Sequence, residues 1–110
     1  MDVVMIPKKK YIPMGEIWKE TYLRPQVMKS FQLVERVPLS KITIDKRLFS
    51  WQNEVNFSQV DFIVKNFDHD FWMPILINRD YFLLDGQHRL QVAEKMGLEF
   101  IDAVIDIERK

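Results

Sequence analysis

A five-residue junction between an apolar run and a helical pattern constrains this chain more than any other segment. The apolar residues 81–84 lead directly into Asp-Gly-Gln-His-Arg at 85–89, and a helical pattern over 90–96 then stops at Gly97. This order predicts a strand that runs straight into a helix. The first N–H groups of a helix lack intrahelical partners and lie at the positive end of its dipole, so such an end binds anions. Arg89 adds a planar guanidinium that suits phosphate oxygens. We therefore predict a phosphate-binding site at this junction.

An Asp-Gly pair before a helix also has an ordinary structural explanation. Glycine permits the turn, and the aspartate accepts hydrogen bonds from the first helical N–H groups. Gln87, His88 and Arg89 are not needed for such a turn, and their succession favours the phosphate site. Asp85 stays open between a purely structural acceptor, a Mg²⁺ ligand and a general base.

The predicted site uses backbone and side chains together. The N–H groups of Gly86, Gln87 and His88 would surround one phosphate, and Arg89 would bind it through charge-assisted hydrogen bonds. The His88 side chain would donate to another phosphate oxygen.

Composition limits the classes of protein to consider. The 110 residues suffice for one domain, and 47% hydrophobic with 13% aromatic residues indicates a globular chain. Cysteine is absent, which excludes disulfides, thiolate zinc sites and a cysteine nucleophile. No signal peptide or membrane-spanning run is visible, so we expect a soluble cytoplasmic protein without a membrane partner.

The charges are unevenly distributed although their sum is zero. Residues 1–30 hold six basic and three acidic side chains, whereas residues 56–110 hold six basic and ten acidic ones. An acidic C-terminal half is unlike a nucleic-acid surface. DNA contact would therefore use the basic N-terminal third or a partner protein, and a homodimer is a further alternative.

The periodicity predicts an α+β fold. Residues 1–30 are expected to form an irregular extension with a short helix at 15–23, and residues 31–110 a single compact domain. Its elements are a strand over 31–37 continuing through Ile42 and Ile44, and a helix with Ser58 and Asp61 as its capping box. A strand hairpin over 75–84, a second helix and a last strand over 100–107 follow. We expect a small mixed sheet with the helices packed on it.

The Asp68-His69-Asp70 triplet resembles a metal site at first sight. Adjacent loop residues converge poorly on one ion, so a solvated helix end is the better interpretation. Trp18, Trp51 and Trp72 are expected to belong to the core rather than to a contact surface, because this is the more common position of tryptophan.

Two stretches of the chain resemble the ParB/sulfiredoxin superfamily. The first is Val-Pro-Leu-Ser-Lys-Ile at 37–42. The second runs from Pro-Ile-Leu-Ile at 74–77 through the junction at 85–89 to Ala93-Glu-Lys-Met-Gly97. The resemblance covers roughly residues 37–107. It implies the superfamily fold and a strand-to-helix junction that holds nucleotide phosphates.

Members of this superfamily differ in what they do with the nucleotide. ParB proteins bind CTP as a partition switch, many relatives are described as nucleases, and the Asp-Gly-Gln-His-Arg motif marks proteins linked to DNA sulfur modification. Free-serine kinases carry a similar Asp-Gly-His-His-Arg junction after a segment like Phe71-Trp-Met-Pro74. Gln87 stands where sulfiredoxins have cysteine, which excludes sulfinic-acid repair. The catalytic acid of the kinases precedes the first helix, where Glu54 is a candidate.

Three functional hypotheses follow. The favoured one is a DNA-associated or mobile-element domain that binds ATP, ADP or CTP with Mg²⁺. The second is an enzyme of phosphotransfer, nucleotide hydrolysis or phosphodiester cleavage that uses Asp85, His88 and Glu54. The third is a protein-binding fold without nucleotide. No paired carboxylates for a two-metal nuclease are visible in the motif.

Overall fold

The computed structural model describes residues 11–45 and 57–108. Its helices are α1 (Glu16–Tyr22), α2 (Pro25–Met28), α3 (Phe57–Lys65) and α4 (Gln87–Lys95), and its strands are β1 (Phe31–Pro38), β2 (Ile75–Ile77), β3 (Leu83–Asp85) and β4 (Phe100–Asp106). Short 3₁₀ turns occupy Leu39–Lys41 and His69–Phe71. From β1 onward the order is strand, helix, two strands, helix and strand, as predicted.

One mixed sheet of four strands organises the domain, in the order β1-β4-β2-β3. The last strand, β4, lies between β1 and β2 and pairs antiparallel with β1 and parallel with β2. β2 and β3 form an antiparallel hairpin. The predicted α+β class with a small mixed sheet is confirmed.

The core lies where β4 crosses the middle of the sheet. Residues 101–105 are all buried, and four of the five are apolar. A central strand buried on both faces has this near-continuous apolar pattern. Helix α4 adds Leu90, Val92 and Ala93 to the same core, and this packing fixes the position of its N-terminus.

Two predictions about local structure were wrong. Ile42 and Ile44 do not form a regular strand, because a 3₁₀ turn at Leu39–Lys41 ends β1 and Thr43 makes a single bridge to Phe82. Ser58 lies inside α3 rather than at its N-cap. Asp61, its expected capping partner, instead forms a salt bridge with Lys95 of α4, which ties the two helices together.

Gly97 ends α4 as the sequence predicted. Its backbone is left-handed, with φ of 77°, and its N–H donates to the carbonyl of Glu94 at 3.1 Å. Within the described residues, no helix is long and apolar enough to cross a membrane.

Candidate functional site

The strand-to-helix junction adopts a tight left-handed turn at Gly86. β3 ends at Asp85, α4 begins at Gln87, and Gly86 between them has φ of 111° and ψ of 26°. A Cβ at this position would lie 2.8 Å from Cγ2 of Ile75 and 2.9 Å from Nη2 of Arg89. Glycine is therefore required both by the backbone angle and by the closeness of its neighbours. The guanidinium of Arg89 lies directly against the turn.

Arg89 is a partly buried cation whose hydrogen-bonding capacity is not fully used. Its side chain is 23% exposed, and its Nε is buried without a hydrogen-bond partner among the described residues. Nη2 lies 4.0 Å from Oδ2 of Asp85, whose side chain is 77% exposed. Burial lowers the pKa of Arg89, while the Asp85 carboxylate acts in the opposite direction. An arginine keeps its proton under such conditions, so the positive charge stays in place.

The other motif residues lie beside Arg89 in the first turn of α4. Gln87 and His88 are half-buried and both interact with neighbouring groups. The structure thus brings Asp85, Gly86, Gln87, His88 and Arg89 together at one helix start. Glu54, the candidate acid in the preceding loop, lies outside the described residues, as does Trp51.

A cavity of about 320 Å³ adjoins this junction, between α3 and the segment 68–73. Its lining is predominantly aromatic and apolar, and Arg89 contributes to one side of it. The lining residues are Phe62, Ile63, Asn66, Phe67, Asp68, Phe71, Trp72, Met73 and Arg89. Phe62 and Phe71 are 66% and 73% exposed, although large aromatic side chains are usually covered.

The sequence did not reveal this cavity. The apolar residues of α3 differ in burial, because Val60 is buried whereas Phe62 is exposed. Trp72 is buried and packs against Phe67 with ring centroids 5.3 Å apart. The sequence signal near this cavity is Phe71-Trp-Met-Pro74, which resembles the kinase segment but does not itself indicate a cavity.

The acidic triplet forms a turn rather than a cluster of ligands. The Asp68 side chain accepts a hydrogen bond from the N–H of Asp70 at 3.0 Å and so caps the 3₁₀ turn. His69 Nδ1 lies 3.8 Å from Asp70 Oδ1 on the exposed surface. Within residues 11–45 and 57–108, no three histidine, aspartate or glutamate side chains converge on a common point that could hold a metal ion.

Comparisons with known proteins point to one architecture. No protein-family model matches the chain, and no curated protein matches it. Among solved structures, a Pnob8-like ParB-N domain superposes with a TM-score of 0.51 at 24% identity, over 71% of this chain and 30% of that one. A pNOB8-like ParB N-domain gives 0.52 at 24% identity, over 68% and 28%. Sulfiredoxin from Arabidopsis thaliana gives 0.53 at 24% identity, over 67% and 83%.

The chain has the ParB/sulfiredoxin fold. It spans less than a third of the two ParB chains but matches most of sulfiredoxin's length. At 24% identity these likenesses concern the fold, and they confirm the architecture that the sequence motifs implied. What a ParB/sulfiredoxin-like domain binds has to be argued from its own residues.

Proposed function

We propose that this ParB/sulfiredoxin-like domain binds a nucleoside di- or triphosphate: ATP, ADP or CTP. The phosphates would lie at the start of α4, and the base in the neighbouring aromatic cavity. The observation that carries this proposal is the position of Arg89. Its guanidinium lies against the Gly86 turn, and its side chain also forms part of the cavity lining. One residue therefore joins an anion-binding helix end to an apolar cavity.

The electrostatics at the helix start favour an anion. A buried Nε without a partner costs free energy, because a desolvated donor has lost its water without gaining a protein acceptor. The guanidinium is partly exposed, and its fork suits two phosphate oxygens. The positive end of the α4 dipole acts in the same direction. The missing side chain at the left-handed Gly86 lets the Arg89 guanidinium lie against the turn at this helix start.

The aromatic lining favours a flat, apolar group next to those phosphates. Cavities that hold small molecules typically measure about 300–1,000 Å³ and are mostly apolar with a few polar groups. The cavity here, at about 320 Å³, is large enough for a base and little else. Phe62 and Phe71 are exposed side chains in its lining, and bases stack on such aromatic rings.

Asp85 fits a role as a Mg²⁺ ligand. Its carboxylate is largely exposed and lies beside the proposed phosphate position, and oxygen donors are what Mg²⁺ requires. A bound Mg²⁺ would neutralise part of the phosphate charge. Asp85 would hold the ion from one side and limit the repulsion between its own carboxylate and the ligand.

Asp85 also supports a second proposal, an enzyme that transfers or hydrolyses a phosphoryl group or cleaves a phosphodiester. An exposed carboxylate beside a bound phosphate could accept a proton from an attacking hydroxyl or water. His88 would hold a phosphate oxygen, and Glu54 would be the further acid. Binding is favoured over catalysis because the residues that we assign to the phosphate lie together at one helix start, whereas the described residues leave the place of a second substrate undefined.

We further propose a DNA-associated setting for this activity, in line with the resemblance of the motif. The contact would come from the basic N-terminal third, from a partner protein or from a homodimer. The described part of the N-terminal third presents exposed Arg24 and Lys29 on its surface. A salt-dependent shift of labelled DNA by this chain alone would support direct contact.

A nucleotide titration tests the main proposal. ATP, ADP and CTP, each with Mg²⁺, are added to ¹⁵N-labelled protein, and chemical shifts are followed before any product is assayed. We expect the largest shifts at residues 86–89 and at Phe62 and Phe71. Arg89→Ala should lower the affinity at least about 10-fold, since hydrogen bonds to charged groups contribute about 1.5–3 kcal/mol. Arg79→Ala, which removes an exposed arginine from the β2–β3 turn, is the matched control. Equal affinity in both variants would contradict the site.

A further inference from the structure

A buried carboxylate on the central strand anchors the N-terminal segment of the described chain. Asp102 of β4 is 1% exposed, and its Oδ1 accepts hydrogen bonds from the Tyr11 hydroxyl at 2.7 Å and from the Arg36 N–H at 3.0 Å. Its Oδ2 accepts from the Met14 N–H at 2.7 Å. The Arg36 guanidinium also covers the Tyr11 ring, 4.9 Å from its centroid. Residues 11–15, which we name the strap, are therefore fixed to the core at both Tyr11 and Met14.

The other side of the strap is joined to the segment that follows α3. The Gly15 N–H donates to the Trp72 carbonyl at 3.0 Å, and the Trp72 indole Nε1 donates to the Ile12 carbonyl at 3.1 Å. A Cβ on Gly15 would lie only 2.3 Å from the Asp70 carbonyl oxygen. The two backbones are thus in direct contact, with no room for a side chain between them.

This second segment is a wall of the aromatic cavity. Phe71, Trp72 and Met73 line the cavity together with Phe62 of α3 and with Phe67, whose ring packs against Trp72 with centroids 5.3 Å apart. The strap and Trp72 are joined by two hydrogen bonds, so the position of this wall depends on the strap. Asp102 does not line the cavity. It accepts a hydrogen bond from the strap, and the strap in turn contacts Trp72 in the cavity wall.

We infer that the strap sets the position of residues 71–73 in the cavity wall, with Asp102 and Tyr11 as positioning residues for the base of the bound nucleotide. This inference rests on the proposed nucleotide function. Arg89 and the Gly86 turn have no hydrogen bond to the strap among the described contacts. Loosening the strap should therefore weaken the contacts to the base and leave the phosphate contacts intact.

Two variants and two ligands separate these effects. Tyr11→Phe removes one donor to Asp102, and Gly15→Ala forces a Cβ against the Asp70 carbonyl. ATP and inorganic tripolyphosphate, each with Mg²⁺, are titrated by calorimetry. We expect both variants to bind ATP about 5-fold more weakly, the equivalent of one lost hydrogen bond, and to bind tripolyphosphate within about 2-fold of the native chain. Tyr81→Phe removes a hydroxyl away from the strap and should change neither affinity.

The effect of the strap on the cavity wall can be measured without ligand, so that the result does not depend on the proposed function. Amide shifts of residues 71–73 and the Trp72 indole N–H signal should move in both strap variants, and the shifts should reach Phe62 across the cavity. Shifts confined to residues 11–15, or equal losses of ATP and tripolyphosphate affinity, would overturn the strap's role. If the native chain bound neither ligand while the wall signals still moved, the strap would stand as the wall's support and the nucleotide proposal would fail.

Discussion

The Asp85 carboxylate at the end of β3 and the Arg89 guanidinium in the first turn of α4 lie 4.0 Å apart. This separation is at the limit of an ion pair, so the two charges influence each other without a tight hydrogen-bonded contact. An incoming phosphate would compete with the carboxylate for the guanidinium. If a phosphate binds here as proposed, we expect Asp85 to oppose a metal-free anion and to assist one that carries Mg²⁺.

Replacing this carboxylate should change how nucleotide binding depends on the metal. We expect Asp85→Asn to bind ATP without Mg²⁺ more tightly than the native chain, by about 3- to 10-fold, because one repulsive charge is lost. The enhancement by Mg²⁺ should shrink in parallel. Calorimetric titrations with Mg²⁺ and with a chelator measure both. Asp80→Asn, an exposed aspartate in the β2–β3 turn, is the matched control. An unchanged Mg²⁺ dependence would leave Asp85 with a structural role only.

The two left-handed glycines that flank α4 should differ in what they tolerate. Gly86→Ala adds a Cβ within 2.8 Å of Ile75 and 2.9 Å of Arg89, whereas Gly97→Ala meets no atom within 4 Å. Both variants suffer the left-handed backbone penalty of about 1–2 kcal/mol. Gly86→Ala should lose at least about 1 kcal/mol more in the free energy of unfolding, and it should also displace Arg89. Urea denaturation measures the free energy of unfolding of both variants. Equal losses would show that Ile75 and Arg89 move away from the added Cβ at little cost in free energy.

Two exposed phenylalanines on α3 allow a test of the cavity. Phe62 is 66% exposed and lines the cavity, while Phe57 is 62% exposed and does not line it. Phe62→Ala should weaken ATP binding by roughly 1–3 kcal/mol, the range measured for a base stacked on an aromatic ring. Phe57→Ala should bind ATP as the native chain does. Because both side chains are exposed, both variants should keep their stability, which thermal denaturation measures. Calorimetry measures the affinity of each variant for ATP. If both variants lost affinity equally, the base would lie elsewhere.

The Tyr11 hydroxyl should make stability sensitive to strongly alkaline pH. Burial, together with its hydrogen bond to Asp102, raises the pKa of Tyr11 above the ordinary tyrosine value of about 10. A pKa that is higher in the folded state stabilises the fold below the unfolded value, and that contribution is lost as pH rises toward the folded value. Native stability should therefore fall above about pH 10 more steeply than that of Tyr11→Phe. Urea midpoints between pH 8 and pH 11 measure this, and parallel curves would contradict it.

The sequence predicted local features well because each is set by adjacent residues. The turn at Gly86, the end of α4 at Gly97 and the β2–β3 hairpin all follow from short-range signals. The prediction of a strand through Ile42 and Ile44 was wrong because alternation indicates a strand only where a neighbouring strand can pair over several residues. Thr43, between them, makes a single bridge to Phe82.

The cavity and the strap lay beyond prediction because both depend on distant residues. Tyr11 and Asp102 are 91 positions apart, and nothing near either residue indicates the other. Phe62 and Phe71 line the same cavity although they belong to different segments, and the second of these segments is hydrogen-bonded to the strap. An aromatic residue on a helix is equally consistent with a core or with a cavity, and only tertiary packing decides between them.

The central position of the last strand has a consequence for how the chain is made. β1 pairs only with β4 within the described sheet, so its ladder must wait until about 60 further residues have been synthesised. At roughly 5–20 residues per second, the first strand stays without its partner for about 3–12 seconds during translation. The nascent chain thus exposes Phe31–Pro38 as an unpaired edge, and this interval is when a chaperone or a second nascent chain could capture it.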